Sequence, residues 1–153
     1  MELHERNFKI FGLDESRQMA RIARKNILNT NYDPMLARGL AQSLPFESGS
    51  MDNIFTTFPS EYIFDKHTLA EILRVLKPSG SMIVVPMAWL GGKTYLELAA
   101  SWLFKITGET VELTEELQNR ISSIFKQAGF QGEFVRKEVG NDLVLLIISR
   151  KKV

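Results

Sequence analysis

The chain has 153 residues, enough for one domain that buries about two-thirds of its unfolded surface around a single core. Its 19 basic and 18 acidic residues leave a net charge of +1, spread along the sequence, so nothing argues for nucleic acid or an anionic membrane as an obligatory partner. The absence of cysteine excludes disulfides and thiolate metal sites; with no apolar run near about 20 residues and no signal-peptide pattern before the first strand, the expected compartment is the cytoplasm.

The first apolar run, Phe8 to Leu13, reads as a buried strand, and Gly12-Leu13-Asp14 closes it. A helix headed by Ser16 follows, with Met19, Ile22, Ala23 and Ile27 on its apolar face and Arg24 and Lys25 near its end. This is a strand-helix unit with a carboxylate at the handover. In an open α/β sheet ligands bind at the carboxyl ends of the strands, and an ionised acid there suits a ribose, whose neighbouring hydroxyls both donate hydrogen bonds.

Pro34 to Leu40 is a second short strand, and Leu44 to Ser50 is a surface loop by its proline, glycine and serine content. Met51 to Phe58 is a third strand. Leu69, Ile72, Leu73 and Leu76 then make one helix face, stopped by Pro78 and Gly80, and Ser81 to Met87 is a fourth strand, apolar enough to be covered on both faces. Thr94 to Phe104 reads as an apolar helical segment. Thr114 caps a further helix with Leu117, Ile121, Ile124, Phe125 and Ala128 on its face and Gly129 as its stop. Phe130 to Val139 and Leu143 to Ser149 flank Gly140-Asn141-Asp142 as a hairpin, and Arg150-Lys151-Lys152 reads as a solvated tail. The pattern predicts an α/β sandwich, mostly parallel, ending in an antiparallel hairpin, with residues 1–153 as a single domain. His4 and His67 lack the companions of a metal site.

Four stretches in order carry a family resemblance: Phe11 to Ser16 with Met19, Arg38 to Phe46, Ser50 to Ile54, and Leu73 to Gly80. Over roughly residues 8 to 86 the chain resembles the class I S-adenosylmethionine-dependent methyltransferases, in particular the small type 11 group. The resemblance implies a Rossmann-like three-layer αβα sandwich. It implies S-adenosyl-L-methionine as cofactor and a small-molecule methyl acceptor, while the balanced charge gives no case for nucleic acid or membrane as partner. A nicotinamide-dependent oxidoreductase also places a ribose acid after a strand, but Ala41 to Phe46 and Leu73 to Gly80 fit the methyltransferase pattern better.

Carried over residue by residue, the resemblance makes Asp14, with Glu15, the ribose acid, and puts Met19 near adenine and ribose. Where the family has an acid for the adenine amino group the chain has Leu40, and Ala41 keeps the backbone amide that faces the ring. Thr56, Thr57 and Phe58 would line the crevice near the methionine part, and Glu61 and Tyr62 would open toward the acceptor. Asp52 matches a family acid that is usually structural. Trp89, Tyr95, Trp102 and Phe104 are either ordinary packing or an acceptor lid. No catalytic constellation is required, because the sulfonium is already an activated donor.

The family's first strand, with its acidic glycine-rich turn, has no counterpart in Met1 to Asn7. Three arrangements accommodate this: a longer product of which this is a part, direct pairing of the strands that would flank the missing one, or association with another copy through an exposed strand edge. The alternative function is a catalytically inactive, methyltransferase-like binding or assembly module, suggested by the absent turn and by Leu40.

Overall fold

A computed structural model describes residues 8–28, 35–57, 59, 61–90, 93–94, 115–140 and 142–152. They fall into two compact units, one up to Pro45 and one from Phe46 onward, each with its own sheet.

In the first unit, β1 (Gly12–Asp14) leads into α1 (Arg17–Leu28) and then β2 (Leu36–Arg38), and the two strands pair in parallel with Asp14 opposite Arg38. The predicted strand from Phe8 is therefore shortened to its last residues, and the expectation of burial is corrected: Phe8 and Phe11 are exposed. The cause is the lack of cover. A two-stranded parallel ladder buries little without layers on both faces, and no described residue of this unit is fully buried. For the same reason Met19 and Ile22, predicted to face a core, are exposed. A Cβ at Gly12 would lie 2.6 Å from Leu36 Cδ2, so a larger residue there requires the end of the Leu36 side chain to shift.

The second unit holds β3 (Met51–Thr57), a 3-10 turn (Glu61–Phe64), α2 (Lys66–Val75), β4 (Leu76–Leu90), β5 (Lys93–Thr94), α3 (Glu115–Gln127), β6 (Phe130–Val139) and β7 (Asp142–Lys151). The strand order is β3-β4-β7-β6, with β5 a short antiparallel return on β4. β3 runs parallel to β4, and β7 lies antiparallel between β4 and β6. Among the described residues β1 pairs with β2 within the first unit and β3 with β4 within the second.

The buried core of this unit alternates along its strands, with Met82 and Val84 on β4 and Leu145 and Ile147 on β7. Leu69, Ile72 and Val75 of α2 and Leu117, Ile121 and Phe125 of α3 are buried with them, and Phe64 stacks on Phe125 at 5.9 Å. One face of β4 is fully buried and the other, with Ile83 and Val85, only half-buried, where the sequence predicts equal cover.

Three further details differ from the sequence reading. β4 starts at Leu76, opposite Met51, and pairing resumes at Ser81 opposite Asn53, so Lys77 to Gly80 is an irregularity inside the ladder. Gly80 is obligatory there: a Cβ would sit 2.9 Å from the Lys77 carbonyl oxygen and 3.1 Å from that of Asp52. Asp52 itself accepts from Lys77 Nζ at 2.8 Å, an exposed structural ion pair. The basic end is not a solvated tail, since Arg150 and Lys151 belong to β7. Lys151 Nζ donates to the carbonyls of Leu73 and Leu76, each at 2.9 Å, so a cation neutralises the C-terminus of α2. Finally, Trp89 and Thr94 pair with each other as strand residues. Phe58, Thr114, Tyr95, Trp102 and Phe104 lie outside the described residues.

Candidate active site

Asp14 ends β1 and is exposed. The chain turns at once into α1, and that turn is built by side chains. Asp14 Oδ1 accepts from the Ser16 amide at 2.7 Å, and Ser16 Oγ accepts from the Met19 amide at 3.3 Å, capping the helix. This fixes one carboxylate oxygen against the backbone and leaves Oδ2 available as an acceptor. Glu15 is exposed beside it, and its carbonyl accepts from Arg38 Nε at 3.0 Å. Arg38 was not singled out by sequence reasoning; its signal was a long cationic fork at the end of the neighbouring strand, just before Gly39.

The register then brings the second predicted segment alongside. The Gly39 amide donates to the Asp14 carbonyl at 3.2 Å, so Leu40 and Ala41 leave β2 at the same end at which Asp14 leaves β1. Leu40 is 47% exposed and Met19 51%, two apolar side chains open to solvent in the unit that carries the ribose-type acid. The Leu40 carbonyl accepts from the Ser43 amide at 3.1 Å, which closes a turn. Asp14, Glu15, Met19, Leu40 and Ala41 all belong to this first unit.

Thr56 and Thr57 stand at the carboxyl end of β3, opposite Val84 and Val85 of β4. The 3-10 turn after Pro59 folds the chain back, and Tyr62 Oη lies 3.0 Å from Thr56 Oγ1 in a part-buried hydrogen bond. Sequence reading assigned these two residues to different halves of the site; the structure joins them. Glu61 is exposed at the start of the same turn, and Asp65 caps α2 by accepting from the His67 amide at 2.8 Å. Arg74, which follows on α2, holds Glu71 through two contacts and the Phe46 carbonyl at 2.8 Å; the Glu71 hydrogen bond raises the guanidinium pKa above its usual value. Among the described residues no group of three His, Asp or Glu side chains is arranged to hold a metal.

The residues present fit the nucleoside part of the implied cofactor. An exposed carboxylate with one free oxygen at a strand's carboxyl end suits ribose hydroxyls, and half-exposed Met19 and Leu40 suit an adenine face.

Comparison with known proteins identifies the family. A family model described as a methyltransferase domain matches residues 1–84. A demethylmenaquinone methyltransferase of Lactococcus lactis is 27% identical over 150 residues, covering 86% of this chain and 60% of that protein. A malonyl-[acyl-carrier protein] O-methyltransferase of Alcanivorax borkumensis is 30% identical over 125 residues, covering 81% of this chain and 40% of that protein. The chain thus spans less than two thirds of the length of these curated relatives. Among solved structures, a SAM-dependent methyltransferase from Methanosarcina mazei superposes with a TM-score of 0.67 at 20% identity, covering 99% of this chain and 86% of that one. A Pyrococcus horikoshii protein does so with a TM-score of 0.64 at 20% identity, covering 99% and 75%. The strand order, the parallel-then-antiparallel ladder and the family match agree on one assignment: this chain belongs to the class I S-adenosylmethionine-dependent methyltransferase family, with its Rossmann-like α/β fold.

Proposed function

We propose that this chain provides the catalytic domain, or most of it, of an enzyme that transfers a methyl group from S-adenosyl-L-methionine to a small-molecule acceptor. The observation that carries the reading is Asp14: an exposed carboxylate at the carboxyl end of a parallel strand, braced by the Ser16 amide, with Leu40 and Ala41 leaving the adjacent strand at the same end.

In this reading Asp14 accepts hydrogen bonds from the ribose hydroxyls, and the exposed Glu15 adds negative charge beside it. Met19 and Leu40 press on the adenine, and the Ala41 amide faces its edge. Thr56, Thr57 and Phe58 meet the methionine part. Tyr62, with its hydroxyl bonded to Thr56, and Glu61 face the acceptor. When bound, the cofactor supplies an electrophilic methyl group on a positively charged sulfur. What remains for the protein is to hold the acceptor in line and to exclude water, which converts a bimolecular step into an effectively intramolecular one. Where the acceptor must lose a proton, a group within about 2.6–3.2 Å of it is required, and Glu61 and Tyr62 are the residues assigned to that side. The relatives act on demethylmenaquinone and on malonyl-[acyl-carrier protein], so these two compounds head the panel of acceptors to test. The cysteine-free composition suits a cytoplasmic setting.

Calorimetric titration with S-adenosylhomocysteine tests the reading. Saturable binding below millimolar concentration supports it, and the absence of heat at millimolar ligand refutes it.

A further inference from the structure

The balanced charge of the chain conceals one concentrated face. Helix α1 carries Arg17, Arg21, Arg24 and Lys25 and no acidic residue over its twelve positions. At 3.6 residues per turn these four cations fall within one arc of about 100°. Among the described residues none has a carboxylate partner, so they are not consumed in ion pairs. Leu28 lies inside the arc and is 61% exposed, and Ile22, about 60° beyond its edge, is 45% exposed. Ala20, Ala23 and Ile27, half-buried, form a different face.

We infer that the exposed face of α1 docks on an anionic lipid surface. The combination decides the partner. The four cations form a polar arc that can meet lipid phosphates, with exposed Leu28 within it and exposed Ile22 beside it available to enter the headgroup boundary. Single-stranded nucleic acid binders instead pair their cations with stacking aromatics, and this arc contains none. Arginine at three of the four positions adds bidentate phosphate recognition. At about 1 kcal/mol per cation near an anionic surface, each contributes about fivefold in partitioning. The inference concerns α1 alone and holds whether or not S-adenosylmethionine binds at Asp14.

The test is co-sedimentation of the full chain with vesicles of phosphatidylcholine containing 30% phosphatidylglycerol, against vesicles of phosphatidylcholine alone. The expected result is binding to the anionic vesicles only, released at 0.5 M salt. The double substitution Arg21→Glu with Lys25→Glu should weaken binding about 25-fold or more. The charge-matched pair Lys126→Glu with Lys137→Glu, both at exposed positions of other elements, should weaken it much less. Circular dichroism verifies that each variant is folded, and the lipid and salt dependence of the unmodified chain stands as evidence if one is not. Equal binding to both vesicles, no binding to either, equal loss in both double variants, or tighter binding to poly(U) than to anionic vesicles at the same salt would each overturn the inference.

Discussion

Leu40 occupies the place at which the family has an acid for the adenine amino group, and Leu40→Asp is predicted to strengthen cofactor binding. A hydrogen bond to a charged acceptor is worth about 1.5–3 kcal/mol. The position makes most of that gain available. Leu40 is 47% exposed, so the new carboxylate is hydrated in the free protein and incurs little desolvation. Its carbonyl opens a turn to the Ser43 amide, and Asp is favoured at the first position of such turns. Repulsion from Asp14 across a solvent-exposed rim removes less than about 0.5 kcal/mol. The net expectation is a gain of about 1–2.5 kcal/mol, roughly fivefold to seventyfold in the dissociation constant of S-adenosylhomocysteine. Calorimetry measures it, and the analogue with hydrogen in place of the 6-amino group is the control, because it lacks the donor. An unchanged affinity, or an equal gain for the analogue, would refute the placement of adenine against Leu40.

Further predictions concern the scaffold. Lys151→Met removes the cation that two carbonyls at the end of α2 share, and should lower unfolding free energy by about 1.5–3 kcal/mol in urea titrations, with the midpoint of thermal unfolding falling by several degrees. Gly80→Ala forces a Cβ against two carbonyl oxygens and should destabilise by about 2 kcal/mol or more, read by the same titration. Thr68→Val should do the opposite, because Thr68 Oγ1 is buried without a hydrogen-bond partner among the described residues; a gain of about 1 kcal/mol is expected, and a loss would show that the hydroxyl has a partner.

Elements whose identity depends on local periodicity were legible in the sequence. The faces of α2 and α3 are those the spacing of Leu69, Ile72, Leu117, Ile121 and Phe125 predicts, Gly129 ends its helix with a positive φ, and the hairpin turns at Gly140. The start of β4 was less legible because Pro78 and Gly80, strong breakers, act inside a ladder that closes around them. The Lys151 contact with α2 is separated from its acceptors by 75 and 78 positions, and no local signal announces it. The exposure of Phe8, Met19 and Ile22 has another cause: apolar spacing states which face seeks cover and says nothing about whether cover exists. Within the candidate site, the handover from β1 to α1 was readable from Gly12, Asp14 and Ser16. The Thr56–Tyr62 hydroxyl bond was not, since it depends on the path of the turn between them.

The account's central claim is that the Asp14 carboxylate seats the ribose of the methyl donor. Its most direct test is the dissociation constant of S-adenosylhomocysteine for Asp14→Ala against the unmodified chain. The account predicts a tenfold to hundredfold loss, from about 1.5–3 kcal/mol of charge-assisted hydrogen bonding, with the second unit's fold intact by circular dichroism. An unchanged dissociation constant in the folded variant would contradict it.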